Sequence, residues 1–547
     1  MAEQDTLEAI QESIGARESF VVEAGAGSGK TRSLIETIQS VLTVEREDLA
    51  RTNRRVVCIT YTNVAKDEII ARLNGDPLVV VDTIHEFLWS VCSGFQRELK
   101  TEVLAINQTA KKPVDGLAKI LESVSITYGQ FGRHFDRGEL FHDDVISIAR
   151  NLFEKYPKIT RIAADRFPYI FVDEYQDTAA EVIDLLLNHF VKNPRKPVVG
   201  FFGDSMQQIY DSNISDVASQ HGLRAITKVE NYRCSVKVIE VLNRLRSDLV
   251  QQPAGHNLPG DVHLLVSNEG TKGVYEKALT ELTSDGWTKS NTKILMLTHR
   301  GIAREIGYSD LLAAYGKRSF GNDHLMERRD EFGELFTFVE GLVASHEGHQ
   351  YGEFLRLLGQ SGFTIKVASD KVKIAAEMDR LVDARAKGTV KDVVDFIAKS
   401  PLVPLSRRML RLRERMAADP KDDEEGFADR RSFYEAVLEV PWGQVRTFVD
   451  YADEHTPFST KHGVKGAEFE NVLVLIDDKL WTKYKFYGVF TGTDTSSDRL
   501  ERSRKLLYVC FSRAKKGLTV VCLNPLSTAE LAGAKLLLGV DDVLTLA

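Results

Sequence analysis

Short runs of consecutive apolar residues punctuate the chain, and most end on small, polar or charged positions. Phe20-Val21-Val22 leads into a glycine-rich stretch, Val56-Val57-Cys58-Ile59-Thr60 stands alone, and Tyr169-Ile170-Phe171-Val172 ends on Asp173-Glu174. Pro197-Val198-Val199-Gly200-Phe201-Phe202 ends on Gly203-Asp204, and later runs cover 293–297, 472–476 and 518–522. Runs that are apolar at every position, not every second one, predict strands covered on both faces, as in a parallel sheet. Between them lie helical patterns. Ser33 to Leu42 carries Leu34, Ile35, Ile38 and Leu42 at helical spacing, and Lys66 to Leu73 and Ala180 to Phe190 read the same way. Strands alternating with helices predict an α/β protein with doubly wound parallel sheets. Two stretches break the rhythm: Gln96 to Gly138, and Arg304 to Glu454, which is mostly helical by pattern. The second holds the densest charge run, Arg407 to Arg431, which reads either as solvated helix and loop or as a DNA-facing surface.

Composition narrows the class. A length of 547 residues exceeds one core and implies about three or four domains or subdomains. The acidic start, Met-Ala-Glu-Gln-Asp, is not a signal peptide, and without any run of about 18 apolar residues no membrane span is expected. Five cysteines without paired spacing argue against a zinc site, an iron–sulfur cluster or a disulfide framework and fit a cytoplasmic location. With net charge −8, any nucleic acid must be bound in a local groove.

Two motifs carry candidate chemistry. In Gly25-Ala26-Gly27-Ser28-Gly29-Lys30-Thr31 the glycines let backbone N–H groups approach phosphates. Lys30 can reach β and γ oxygens, and the Thr31 hydroxyl can hold Mg²⁺. The flanking strand and helix put those phosphates at a helix N-terminus, where the dipole favours anions. The second motif is the apolar strand ending in Asp173-Glu174-Tyr175-Gln176-Asp177. There Asp173 can join the Mg²⁺ shell and Glu174 can polarise an attacking water.

With these motifs in place the chain resembles the UvrD/Rep-type superfamily 1 DNA helicases, from about Phe20 to Leu523 and in the family's order. Val22 to Leu34 resembles motif I, although Ala24 stands where the usual pattern has glycine. Ile59 to Lys66 resembles motif Ia, Thr83-Ile84-His85 the next short motif, and Asp173 to Asp177 motif II. Gly203 to Tyr210 resembles motif III, Asn231-Tyr232-Arg233-Cys234 motif IV, Thr460 to Phe469 motif V, and Leu507 to Ala514 motif VI.

The resemblance implies two RecA-like domains, each with a mainly helical insertion. The first would comprise 1–95 and 139–215 with insertion 96–138, the second 216–303 and 455–547 with insertion 304–454. It implies ATP and Mg²⁺ as cofactors and single-stranded or 3′-tailed duplex DNA as partner, with 3′–5′ movement driven by ATP hydrolysis. Lys30, Asp173, Glu174, Gln207, Arg233 and Arg513 would be catalytic, with Thr31 and Asp173 on the metal. Gly25 to Thr31, Arg32, Tyr232 and Glu468 would bind the nucleotide. Arginine suits the later positions, because a planar, permanently charged fork stabilises a phosphoryl group in transfer. Tyr61, Thr62, Asn63, Thr83, His85, Tyr210, Thr460 and His462 would line the DNA track. His85 and His462 are poor metal candidates, since no His or Cys lies nearby at ligand spacing. Asp211-Ser212-Asn213 stands where the family usually has Trp and Arg after motif III. That loss and the short insertions favour a second reading, a DNA-sensing ATPase subunit that regulates a partner nuclease. Compact subunits of this size occur in Gabija anti-phage systems.

Overall fold

The computed structural model describes every residue except 1, 111–112, 130–132, 209–220, 268–272, 297, 361–364, 366, 401–404, 419–425, 460–466, 480, 482 and 547. The first of its two six-stranded sheets is built from β1 (Phe20–Ala24), β2 (Val56–Thr60), β3 (Val79–Thr83), β4 (Tyr169–Asp173), β5 (Val198–Gly203) and β6 (Arg224–Lys228), in the order β3-β2-β4-β5-β1-β6. All five pairings are parallel. Alternate residues feed two cores. Phe20, Val22, Val56, Cys58, Tyr169, Phe171 and Phe202 face one, and Val21, Val57, Ile59, Ile170, Val172 and Phe201 face the other. Burial on both faces is why these strands read as unbroken apolar runs.

The helix Lys30–Arg51 is longer than the expected Ser33–Leu42. Its apolar stripe thins after Leu42, and Val44 is exposed. Good helix formers continue nonetheless, and buried Leu49 anchors the extension. The 96–138 stretch forms the helices Gln96–Thr109 and Leu117–Ser123. The first is fixed to the helix His142–Lys155 through buried Glu102, which accepts from Lys155 Nζ at 2.7 Å and Asn151 Nδ2 at 3.0 Å.

The chain divides into two compact units. The first holds 1–263, 483–518 and 527–542, and the second 264–481, 519–526 and 543–546. The second sheet is formed by β7 (Asp261–Ser267), β8 (Thr292–Met296), β9 (Phe458–Ser459), β10 (Phe469–Ile476), β11 (Ala514–Cys522) and β12 (Leu544–Leu546), ordered β9-β8-β10-β11-β7-β12. Between β8 and β9 every described element is a helix, from His299–Ile306 to Trp442–Ala452. The core of that insertion includes Phe336, Val339, Phe448 and fully buried Trp442. The Trp442 indole and the Arg385 fork both donate to Glu340, at 2.7 to 2.8 Å, so this buried carboxylate is paired and hydrogen-bonded.

The expected class is therefore present: two parallel six-stranded sheets, with helical segments between their strands. The division expected at 215/216 differs in placement, because β6 pairs with β1 in the first sheet. Its apolar and polar positions partly alternate at a sheet edge, so it lacks the continuous apolar signature. Residues 483–518, carrying Arg513, also pack with the first unit.

Candidate active site

Because the strands of the first sheet run parallel, their carboxyl ends share one edge, the usual position of ligand sites in open α/β sheets. There β1 opens into Gly25–Gly29, β2 into Tyr61–Asn63, and β3 into Thr83–His85. β4 gives way to Asp173-Glu174 and β5 to Asp204–Gln207. β1 and β4 both flank β5, which brings the two chemical motifs together, and Lys30 Nζ lies 3.8 Å from Glu174 Oε2. Glu174 has φ 49°, a left-handed conformation that costs a side-chain-bearing residue about 1–2 kcal/mol. It is held by the Tyr175–Asp177 turn and by a hydrogen bond from Gln176 Nε2.

The glycine loop is pinned from outside. The Ala26 carbonyl accepts from Asn231 Nδ2 at 2.9 Å and from Gln251 Nε2 at 2.8 Å, while the Tyr232 amide donates to the Gly27 carbonyl at 2.9 Å. A Cβ at Gly25 would stand 2.2 Å from Gln251 Nε2. The Asn231 Oδ1 atom caps the Arg233 and Cys234 amides, so the motif that pins the loop also aims Arg233.

Arg233 and Arg513 reach the same site. Arg233 Nη1 donates to the Ser512 carbonyl at 3.4 Å, and Arg513 is buried. Burial, and then the charge of Arg233, push the Arg513 guanidinium down to about 10, so it stays charged at neutral pH. Burial, and then the adjacent Glu174 carboxylate, push Asp173 well above the ordinary carboxylate range. Three buried polar atoms here have no hydrogen-bond partner among the described residues: Ser28 Oγ, Asp173 Oδ1 and Arg513 Nε. A positive nest of Lys30, Arg233 and Arg513 around a glycine cradle, with an orphaned carboxylate oxygen beside it, fits a magnesium-bound triphosphate.

The remaining expected residues divide by place. Thr31 follows Lys30 in the first helical turn. Gln207 is buried and donates to Asp204 Oδ2 at 2.9 Å. Arg32 is exposed and paired with Glu36, and Tyr232 is also exposed. Tyr61, Thr62 and Asn63 are exposed at the end of β2. Thr83 caps the helix Ile84–Cys92, and His85 packs edge-on against His142, with ring centroids 4.8 Å apart. Glu468 lies in the second unit, exposed just before β10. Tyr210, Thr460 and His462, with Asp211-Ser212-Asn213, fall outside the described residues.

The AAA domain family (AAA_19) matches residues 6–213. The chain is similar to the Gabija protein GajB of Bacillus cereus (strain HuB5-5), 24% identical over 96% of this chain and 96% of that one. It is also similar to the ATP-dependent DNA helicase PcrA of Staphylococcus aureus (strain Mu50 / ATCC 700699), 27% identical over 48% of this chain and 42% of that one. The chain is thus similar to a Gabija protein along nearly its whole length and to an ATP-dependent DNA helicase along about half of it. A solved structure, "Crystal structure of Arterivirus nonstructural protein 10 (helicase)", aligns with 96% of this chain and 63% of that one at 11% identity and TM-score 0.31, too low to bear on the fold.

Several residues at the site were not assigned from sequence. Asn231 and Tyr508 lie inside motifs IV and VI, but nothing in a linear motif shows that they grip Ala26, which lies 482 residues from Tyr508. Gln251 and Arg246 belong to no motif. Arg246 is completely buried, ion-paired with Asp204 at 3.3 Å and Asp248 at 2.6 Å. Glu23, on β1, accepts from the Tyr175 hydroxyl and the Ser205 amide, and burial raises it above the ordinary carboxylate range.

Proposed function

We propose that the chain is an ATP-dependent DNA motor that hydrolyses ATP and moves 3′ to 5′ along single-stranded DNA in the cytoplasm. The observation that carries the ATPase part is the convergence of Lys30, Glu174, Arg233 and Arg513 on the Gly25–Gly29 loop. In this reading the loop amides and Lys30 bind the phosphates, and Glu174 takes the proton of the attacking water. Thr31 and Asp173 hold Mg²⁺, which when bound offsets phosphate charge. Arg233 and Arg513 stabilise the transferring phosphoryl group, while Arg32 and Tyr232 flank the adenine and Glu468 contacts the ribose end. Gln207 links the phosphates to a DNA track of Tyr61, Thr62, Asn63, Thr83, His85, Tyr210, Thr460 and His462. The AAA-family match and the likeness to PcrA support a helicase-type ATPase.

Lys30→Ala and Glu174→Gln are expected to abolish DNA-stimulated phosphate release while circular dichroism stays unchanged; normal turnover in both overturns the assignment. Arg513→Ala should still bind a fluorescent ATP analogue but hydrolyse ATP about 10³-fold more slowly.

A second reading makes the chain a DNA-sensing ATPase that licenses a partner nuclease in antiviral defence. Its similarity to a Gabija protein along nearly the whole of both chains favours this. Strand displacement on a 3′-tailed duplex by the protein alone separates the two: DNA-stimulated hydrolysis without displacement selects the second.

A further inference from the structure

The Tyr508 hydroxyl is shared by four groups in a fully buried place. It accepts from the Ala26 amide at 3.0 Å and from Arg246 Nη1 at 2.6 Å, and faces two acceptors, Asp204 Oδ2 at 3.2 Å and Gln251 Oε1 at 3.3 Å. A hydroxyl has one proton and two lone pairs, so these partners use all of its capacity. Two of these partners belong to different parts of the site. Ala26 is in the phosphate loop. Asp204 also accepts from Gln207 and the Met206 amide, and so organises the segment that leads toward Tyr210. Tyr508 itself lies on the helix Ser497–Phe511, which runs directly into Arg513. One turn earlier on that helix, Lys505 Nζ donates to Gln208 Oε1 at 2.9 Å, a second tie to the same segment.

Burial makes this junction stiff. Moving the Ala26 peptide away from Tyr508 would leave the Ala26 amide without its partner in a low-dielectric interior, which is more costly than a concerted shift. Arg246 and Asp204 have completely buried side chains, so water cannot substitute.

We propose that Tyr508 is a positioning residue that couples the phosphate loop to the Asp204–Gln208 segment, so that nucleotide occupancy and DNA occupancy bias one another through its hydroxyl. The proposal rests on the ATP-driven DNA motor reading above. It requires that the Ala26 peptide, Tyr508 and Asp204 shift as one, and that breaking the hydroxyl junction separates the two sites' responses.

Tyr508→Phe keeps the ring and deletes only the hydroxyl. The measurement is the ratio of ATP turnover with saturating oligo-dT to turnover without DNA. In the variant this ratio is expected to fall about tenfold, within the usual range of coupling between two sites. A purely structural role would lower the melting temperature and leave the ratio intact. Lys505→Met, at a half-buried site, serves if Tyr508→Phe does not fold, with an expected drop of about threefold. An unchanged ratio in folded Tyr508→Phe, or in Lys505→Met where it stands in, overturns the coupling role. Wild-type protein without any DNA-stimulated hydrolysis overturns the motor reading instead, so the two failures are distinguishable.

Discussion

At Gly27 the backbone has φ +72°, and a Cβ would stand 2.6 Å from Arg233 Cβ and 2.7 Å from Asn231 Oδ1. The position requires glycine twice over, for the left-handed conformation and for the approach of the arginine-bearing segment. Gly27→Ala is expected to cost about 1–3 kcal/mol of stability in urea unfolding and to abolish the rise in melting temperature produced by ATP. A different residue-scale effect belongs to Glu305 in the second unit. Burial pushes its carboxyl up to about 7, against weaker lowering by the Gly273 amide, and Oε1 has no hydrogen-bond partner among the described residues. The folded state therefore prefers the protonated form. Its contribution is intact below about pH 4.5 and is lost as pH rises through about 7. Glu305→Gln should unfold at higher denaturant than the native protein at pH 8, by about 1 kcal/mol after allowing for partial exposure, and the gap should close by about pH 4.5. Denaturant midpoints measured across pH 4 to 9 check the sign.

At the scale of elements, the β3 turn shows how one residue serves two ends. The Thr83 hydroxyl accepts from the Glu86 amide at 3.4 Å, and the Glu86 carboxylate accepts from the Thr83 amide at 2.8 Å, a reciprocal cap on the helix Ile84–Cys92. Lys66 joins Glu86 at 2.8 Å and Asp82 at 3.3 Å, which ties the helix Asn63–Arg72 to the same turn. Thr83→Ala is expected to lose about 1 kcal/mol, while Thr83→Ser retains the cap. A loss of DNA affinity in Thr83→Ala that Thr83→Ser restores would accompany that stability change, and fluorescence anisotropy with a labelled oligonucleotide reads it. Elements also explain what escaped sequence reading. β4 and β5 are buried on both faces and were legible as continuous apolar runs. β6 and β12 are sheet-edge strands with partly exposed residues, so no such run marks them.

For the whole molecule, net charge −8 means that DNA, in the proposed reading, is held by a local set of contacts. The slope of log affinity against log salt should therefore be modest, about −2 to −4, corresponding to a handful of phosphates; a slope near −10 would demand a broad basic surface. The sequence by itself determined the α/β class, the glycine-rich loop before Lys30, the Asp173-Glu174 strand end and the helical nature of 304–454. These depend on periodicity and on spacing within a few residues, where chain connectivity alone fixes geometry. Only the tertiary structure decided that β6 completes the first sheet, that Arg233 packs against Gly27 and that Arg513 lies beside Arg233 and Glu174. The same holds for Asn231, Gln251 and Tyr508 closing on the Ala26 peptide. Those contacts join residues 205 to 482 positions apart, and no local propensity encodes them. They are set by which strand ends share an edge and which buried hydrogen-bonding groups must find partners there.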